Sequence, residues 1–157
     1  MYKHLVVAVD GSETSVHALK HACSLAALGG SQLTLVHVAN PAEYMTLAPE
    51  FVQHGSYEEA AVANGNAILS DALAVTNGAE KGIAGVDTHL LLASKGARDM
   101  AQELVNYADQ RGADLLVLGT HGRSGMMHLL MGSFAETVMR VSHLPLLIIK
   151  SETKDED

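Results

Sequence analysis

The chain has little material for cross-linking or for aromatic packing. Its 157 residues include one cysteine, no tryptophan and two phenylalanines. A single cysteine excludes an internal disulfide framework and is consistent with the reducing cytoplasm. That residue, Cys23, falls on the apolar stripe of a predicted helix, so we expect it to be a buried and inert thiol.

Positive charge and long apolar runs are also scarce. Ten lysines and arginines against eighteen aspartates and glutamates give a formal net charge of −8. A general nucleic-acid binder would need a basic face to release counterions, so we expect no nucleic-acid partner. No apolar run approaches the roughly 20 residues of a membrane span, and no signal-peptide pattern opens the chain. We therefore expect a cytoplasmic protein without a membrane span.

The chain does contain an alternation of strand and helix patterns. Continuous apolar runs predict strands at 3–9, 33–38, 86–93, 115–118 and 144–149. Apolar residues at helical spacing predict helices between these strands, at 56–75 and 97–110 among others, with a last helix after Gly132. This order predicts one α/β domain over residues 1–150, with a parallel sheet, right-handed crossovers and helices on both faces.

Two segments fall outside that alternation. Residues 40–55 show no clear period and are interpreted as a long loop, a kind of segment that is often functional. Residues 151–157 carry four acidic residues and one lysine, and they are predicted to be a solvated tail.

The most informative pattern follows the fourth predicted strand. Gly119 and Gly122 come directly after the strand, and Gly132 and Ser133 come directly before the last helix. Glycine lets the backbone approach a ligand, and a helix N-terminus presents unpaired N–H groups with a partial positive charge. Asp10 ends the first strand at the same edge of the sheet, where such folds bind their ligands. The sequence therefore predicts a phosphate site at this edge.

Several residues near this site have two interpretations each. Arg123 either contacts phosphate through its guanidinium or is a solvated surface charge. His121 either donates an N–H to phosphate or turns to solvent. Ser133 and Glu136 form a capping-box pattern, so the serine hydroxyl could cap the helix while the N–H groups of Ser133 and Phe134 remain available to phosphate.

Two further features concern metals. The carboxylate of Asp10 either caps the loop that follows it or binds ribose hydroxyls or a magnesium ion. His17 and His21 lie four residues apart on the first predicted helix, a spacing that could suggest a metal site. No third ligand follows by spacing, so we interpret this pair as part of a solvated face.

The glycine spacing Gly119-x2-Gly122-x9-Gly132-Ser133 resembles the nucleotide-binding signature of the universal stress protein family. The opening strand and loop, Val7-Ala8-Val9-Asp10-Gly11-Ser12, and the closing strand from Leu144 to Ile149 resemble those of the same family, so the likeness covers nearly the whole chain. One departure is Ala8, where many members have proline.

The resemblance implies a Rossmann-like (adenine-nucleotide alpha-hydrolase-like) fold with a five-stranded parallel sheet in the order 3-2-1-4-5. It implies a homodimer formed through the strand from Leu144 to Ile149, and ATP with magnesium as the bound cofactor, because members that carry the full glycine signature bind ATP. Val38 matches the family position whose backbone reads the adenine edge. The residues assigned to nucleotide binding are Ala8, Val9, Asp10, Val38, Gly119, Thr120, His121, Gly122, Arg123, Gly132, Ser133 and Phe134, with Asp10 also the candidate metal ligand.

The sequence offers no catalytic residue for this nucleotide. It lacks a Walker loop and a dinucleotide fingerprint, and no lysine or paired acid stands ready to act on the transferring phosphate. We therefore expect an ATP-binding universal stress protein that regulates an unidentified protein partner in the stress response, with slow or no hydrolysis. The alternatives are a nucleotide hydrolase or adenylyl-type transferase on the same fold, and a scaffold whose nucleotide is structural.

Overall fold

The computed structural model describes residues 1–47, 56–79, 81–93, 95–121 and 131–150. The predicted tail at 151–157 and residues 48–55 of the predicted 40–55 loop lie outside these ranges. No helix in the described part of the chain is long and apolar enough to cross a membrane.

Five parallel strands form one sheet in the order β3-β2-β1-β4-β5, which confirms the order that the resemblance implied. β1 is central, and its residues pair with β2 on one side and β4 on the other. The strands alternate with helices along the chain, as the apolar runs predicted. Their bounds are β1 His4–Ala8, β2 Gln32–Ala39, β3 Gly85–Leu92, β4 Leu115–Gly119 and β5 Leu146–Ile149.

Helices cover both faces of the sheet. The buried residues of β1 and β4 alternate between two cores, so Val7 and Val117 pack with α1 and α3 while Val6 and Leu116 pack with α4 and α5. Cys23 lies in the first core as a buried free thiol, and burial raises its pKa. The helix bounds are α1 Glu13–Gly29, α2 Ala42–Leu47, α3 Ser56–Asn77, α4 Ala97–Gln110 and α5 Ser133–Val141.

The ends of α1 follow from local sequence. The side chain of Ser12 accepts a hydrogen bond from the N–H of Ser15 at 3.2 Å and caps the N-terminus. Gly30 ends the helix in the left-handed conformation, at φ 63°, which favours glycine.

The structure corrects one prediction in the segment interpreted as a loop. Residues 42–47 form the short helix α2 instead of irregular chain. Asn40 accepts a hydrogen bond from the N–H of Ala42 through its side chain at 3.0 Å, and Pro41 directly precedes the helix, where a missing N–H costs nothing. Six residues are too few for an apolar period, so only the Asn-Pro cap could have revealed this helix.

Candidate functional site

A cavity of about 330 Å³ opens at the carboxyl ends of β1, β2 and β4. The N-terminus of α5 and residues of α2 and α4 complete its walls. The structure brings to it every predicted site residue that it describes: Ala8, Val9, Asp10, Val38, Gly119, Thr120, His121, Gly132, Ser133 and Phe134. The other two, Gly122 and Arg123, lie outside the described residues.

The first turn of α5 is directed into this cavity. Gly132 is the N-cap, and its carbonyl accepts the first helical hydrogen bond from Glu136 at 3.0 Å. The N–H groups of Ser133, Phe134 and Ala135 therefore precede the first helical hydrogen bond, and all three residues line the cavity. This arrangement combines unpaired donors with the positive end of the helix dipole and suits an anion.

The structure tests the capping role that the sequence suggested for the Ser133 hydroxyl. Gly132 takes the extended N-cap conformation, at φ −73° and ψ 160°, and its N–H donates to the carbonyl of Thr120 at 2.7 Å. Ser133 is consequently the first helical residue, and no side-chain bond caps the helix. The capping-box interpretation is wrong here, because the contact with Thr120 places the N-cap one residue earlier. Among the described residues, the Ser133 hydroxyl has no hydrogen-bond partner, and its side chain is exposed at the cavity.

Gly119 owes its identity to packing. A Cβ at this position would lie 2.6 Å from Cγ2 of Thr14 and 3.2 Å from Cβ of the same residue. Thr14 is buried in the first turn of α1, so only glycine lets that turn approach the end of β4. The sequence predicted that Gly119 lets the backbone approach a ligand. The contact with Thr14 shows instead that Gly119 lets the first turn of α1 pack against the end of β4.

Asp10 caps the loop after β1. Its Oδ1 atom accepts a hydrogen bond from the N–H of Ser12 at 2.9 Å, and its own N–H donates to Oγ of Ser15 at 3.0 Å. Gly11 turns the chain between them at φ 83°. The carboxylate remains half-buried in the cavity wall, so the capping role leaves its second oxygen atom available to a ligand.

His121 faces the protein interior. Its Nδ1 atom lies 3.0 Å from Oγ1 of Thr120, and both side chains are buried. The N–H of Thr120 donates to the carbonyl of Ile149 at 2.9 Å, which ties the loop to the end of β5. The alternative in which His121 turns to solvent is therefore excluded.

Sequence reasoning missed several residues of the cavity wall. His37 is the most informative of them, because it is a polar residue buried near the end of an apolar strand, and its Nδ1 atom lies 2.7 Å from the carbonyl of Val9. Asn40 enters the wall just ahead of α2, and Glu43 and Tyr44 enter it from α2 itself; only the Asn-Pro pair signalled them. Met100 enters from α4 without a recognisable signal.

The second candidate metal feature is a pair of neighbouring histidines on α1. The rings of His17 and His21 contact each other with their centroids 4.9 Å apart. Within the described ranges, no group of three or more metal-ligating side chains exists. The interpretation of this pair as an ordinary part of the helix surface agrees with that geometry, with His21 exposed and His17 half-buried.

Comparison with known proteins identifies relatives along most of the chain. The model of the universal stress protein family matches residues 1–150. Universal stress protein MJ0531 of Methanocaldococcus jannaschii is 32% identical over 158 residues, which cover 99% of this chain and 86% of the relative.

Two solved structures extend the comparison. The structure of hypothetical protein MJ0577, also from Methanocaldococcus jannaschii, has a TM-score of 0.72 to this chain at 26% identity, and the match covers 98% of this chain and 99% of that one. A universal stress protein crystallised in complex with cAMP has a TM-score of 0.67 at 26% identity, with 96% and 98% of the two chains covered.

Proposed function

Because this chain belongs to the universal stress protein family, we propose that it binds ATP in the cavity at the carboxyl ends of β1, β2 and β4. In this proposal the protein is a cytoplasmic, nucleotide-dependent regulator of the stress response, and it acts on a protein partner that the chain does not identify. The relative in complex with cAMP supports an adenine nucleotide as the ligand class.

The observation that carries the proposal is the first turn of α5. Three consecutive residues, Ser133 to Ala135, line the cavity, and their N–H groups precede the first helical hydrogen bond. A triphosphate placed there would receive these donors and the Ser133 hydroxyl, which has no partner among the described residues, and charge-assisted hydrogen bonds are the strong ones. Gly132 lets the start of α5 lie close to the end of β4, because a Cβ at this position would lie 3.2 Å from the carbonyl oxygen of Thr120.

The wall to which β1, β2 and α4 contribute suits the base. Ala8, Val38 and Met100 supply apolar surface for a flat ring, as small-molecule sites commonly do. Val38 adds a main-chain N–H and a carbonyl on the side that faces β1, and no described backbone group forms a hydrogen bond with either of them there. Such a donor and acceptor pair is what the edge of adenine needs.

Magnesium fits the same site through Asp10. One carboxylate oxygen is occupied by the N–H of Ser12, and the residue still lines the cavity, so its other oxygen is available to a cation. Magnesium in nucleotide sites is commonly held by one or two carboxylates together with phosphate oxygens. Asp10 would hold the ion, which would neutralise phosphate charge inside a protein of net charge −8.

Slow or absent hydrolysis is part of the proposal. Phosphoryl transfer depends on positioned cations and an oriented nucleophile. Among the described residues that line the cavity there is no lysine or arginine. Asp10 and Glu43 are the carboxylates among the described residues of that wall, and a hydrolase could use them there.

A product analysis tests the proposal. The protein is incubated with ATP and magnesium, and the bound and free nucleotides are separated and quantified by chromatography. We expect ATP to be recovered intact with the protein over many hours. Conversion of many equivalents of ATP per protein to ADP or AMP would favour the hydrolase. An adenylylated acceptor would favour the transferase.

We further propose that the chain forms a homodimer through β5. This strand is an edge strand that pairs with β4 alone, and its residues Leu146–Ile149 are apolar and only half-buried. An exposed apolar edge is a liability that a two-fold partner would remove by antiparallel pairing.

A further inference from the structure

The β1–β2 ladder stops at Val36, although β2 continues along the cavity wall to Ala39. The strands pair in parallel up to Ala8 opposite Val36, and the N–H of Val9 donates to the carbonyl of Val36 at 2.8 Å. In a regular parallel ladder the next rung would join the N–H of Val38 to the carbonyl of Val9. The described backbone contains no such hydrogen bond.

A side chain holds the carbonyl of Val9 instead. Nδ1 of His37 lies 2.7 Å from this oxygen, and because a carbonyl only accepts, the ring nitrogen is the donor. The ring is confined, since His37 is buried and a Cβ at Gly65 of α3 would lie 3.0 Å from its Cδ2 atom. The contact between ring and carbonyl therefore occupies the place of the missing rung.

The side to which the N–H and carbonyl of Val38 point follows from the hydrogen bonds on both sides of β2. The carbonyl of Val36 accepts from Val9 on the β1 side, and the carbonyl of Ala39 accepts from Ala93 on the β3 side, both in the same strand. Backbone groups alternate in direction along a strand, so the N–H and carbonyl of Val38 point to the β1 side. They lie beyond the last β1 pair, at the cavity.

We propose that His37 is a positioning residue that keeps the main-chain edge of Val38 open to adenine. By donating to the carbonyl of Val9, the imidazole prevents that carbonyl from taking the N–H of Val38 and extending the ladder across the base site. The inference rests on the proposed ATP binding. It assigns His37 a part in the selection of the base, without direct contact with the phosphates of ATP.

Two substitutions of His37 separate this role from simple packing. His37→Asn retains an N–H donor close to the position of Nδ1, whereas His37→Leu fills the space without a donor. Inosine triphosphate serves as the second ligand, because its base reverses the donor and acceptor pattern of adenine at this edge. We expect His37→Leu to lose about tenfold in ATP affinity and most of the preference for ATP over inosine triphosphate, and His37→Asn to keep both within about threefold. Equal losses for the two nucleotides, or no rescue by asparagine, would overturn the proposal.

Amide hydrogen exchange in the wild-type protein provides a measurement that needs no variant. We expect the Val38 amide to exchange faster than the ladder-paired Val36 amide in the free protein, and to be slowed by ATP. A Val38 amide as protected as Val36 without ligand would overturn the inference even if ATP binds. Failure of the wild-type protein to bind ATP would overturn the proposed function instead, and the exchange in the free protein would still decide whether the ladder is open.

Discussion

At the scale of single residues, the site depends on which atoms are already occupied by protein contacts. Ser133 illustrates this, because its hydroxyl has no partner among the described residues whereas Gly132 performs the capping. We expect Ser133→Ala to weaken ATP binding by about 0.5–1.5 kcal/mol, the net value of an ordinary hydrogen bond, and to leave the unfolding free energy unchanged. Calorimetric titration and urea unfolding would measure the two quantities. A loss of about 1 kcal/mol of stability would instead identify the serine as a cap.

Gly119 leads to a residue-scale prediction about stability. Gly119→Ala places a Cβ 2.6 Å from Cγ2 of Thr14, and overpacking of this kind costs about 1–3 kcal/mol. Thr14→Ser removes that methyl group, so the double variant should recover part of the loss. Urea unfolding of the four proteins in this cycle measures the coupling. Wild-type stability in Gly119→Ala would show that α1 does not constrain the position.

At the scale of the elements, the start of the central strand is held by one carboxylate. The two oxygens of Asp114 accept hydrogen bonds from the N–H groups of Lys3 at 2.8 Å and His4 at 3.0 Å, which joins β4 to β1. Burial, the largest single influence, opposes ionisation of this residue, but the backbone N–H groups of Lys3, His4 and Asp114 itself, together with the nearby His4 side chain, outweigh it and hold the pKa of Asp114 below its ordinary value.

This lowered pKa predicts a stability change with pH. A carboxyl group whose pKa is lower in the folded state contributes stability above the ordinary aspartate pKa of about 3.9, and this contribution is lost as the pH falls through the lower folded value. We expect Asp114→Asn to cost about 1–2 kcal/mol at neutral pH, because an amide accepts only one of the two bonds, and to flatten the acid limb of the stability curve. Thermal unfolding between pH 2 and 7 measures this, with exposed Asp71→Asn as the matched control. Identical acid limbs for wild type and Asp114→Asn would contradict the assignment.

The elements also show how far the sequence determines the fold. The strands were predictable because β1, β2 and β4 are buried on both faces and read as continuous apolar runs. The 97–110 helix was predictable because its apolar residues recur at helical spacing. The short helix α2 was missed because it has too few residues to show a period. His37 was missed for a different reason, since its importance depends on a contact with Val9 that is 28 positions away in the chain.

At the scale of the whole molecule, the sheet exposes an edge that we propose is covered by a second copy. Ile148→Lys would place a charge in the proposed β5–β5 interface, and we expect a monomer by light scattering with ATP affinity only modestly reduced. Leu28→Lys is the matched control, because Leu28 is 85% exposed on α1, outside the proposed interface, and should leave the dimer intact. Unfolding curves check that Ile148→Lys, which also packs partly against the core, remains folded. A dimer of unchanged stability in Ile148→Lys would place the interface on another surface.

The central claim is that one cavity holds the base of ATP at Val38 and its phosphates at the N-terminus of α5. An NMR titration of the wild-type protein with ATP and, separately, with adenosine tests it most directly. We expect both ligands to shift the Val38 amide, and only ATP to shift the amides of Ser133, Phe134 and Ala135, because only ATP carries the groups that these donors would bind. Saturable ATP binding without a shift at the three α5 amides, or the same shifts there with adenosine, would contradict the account.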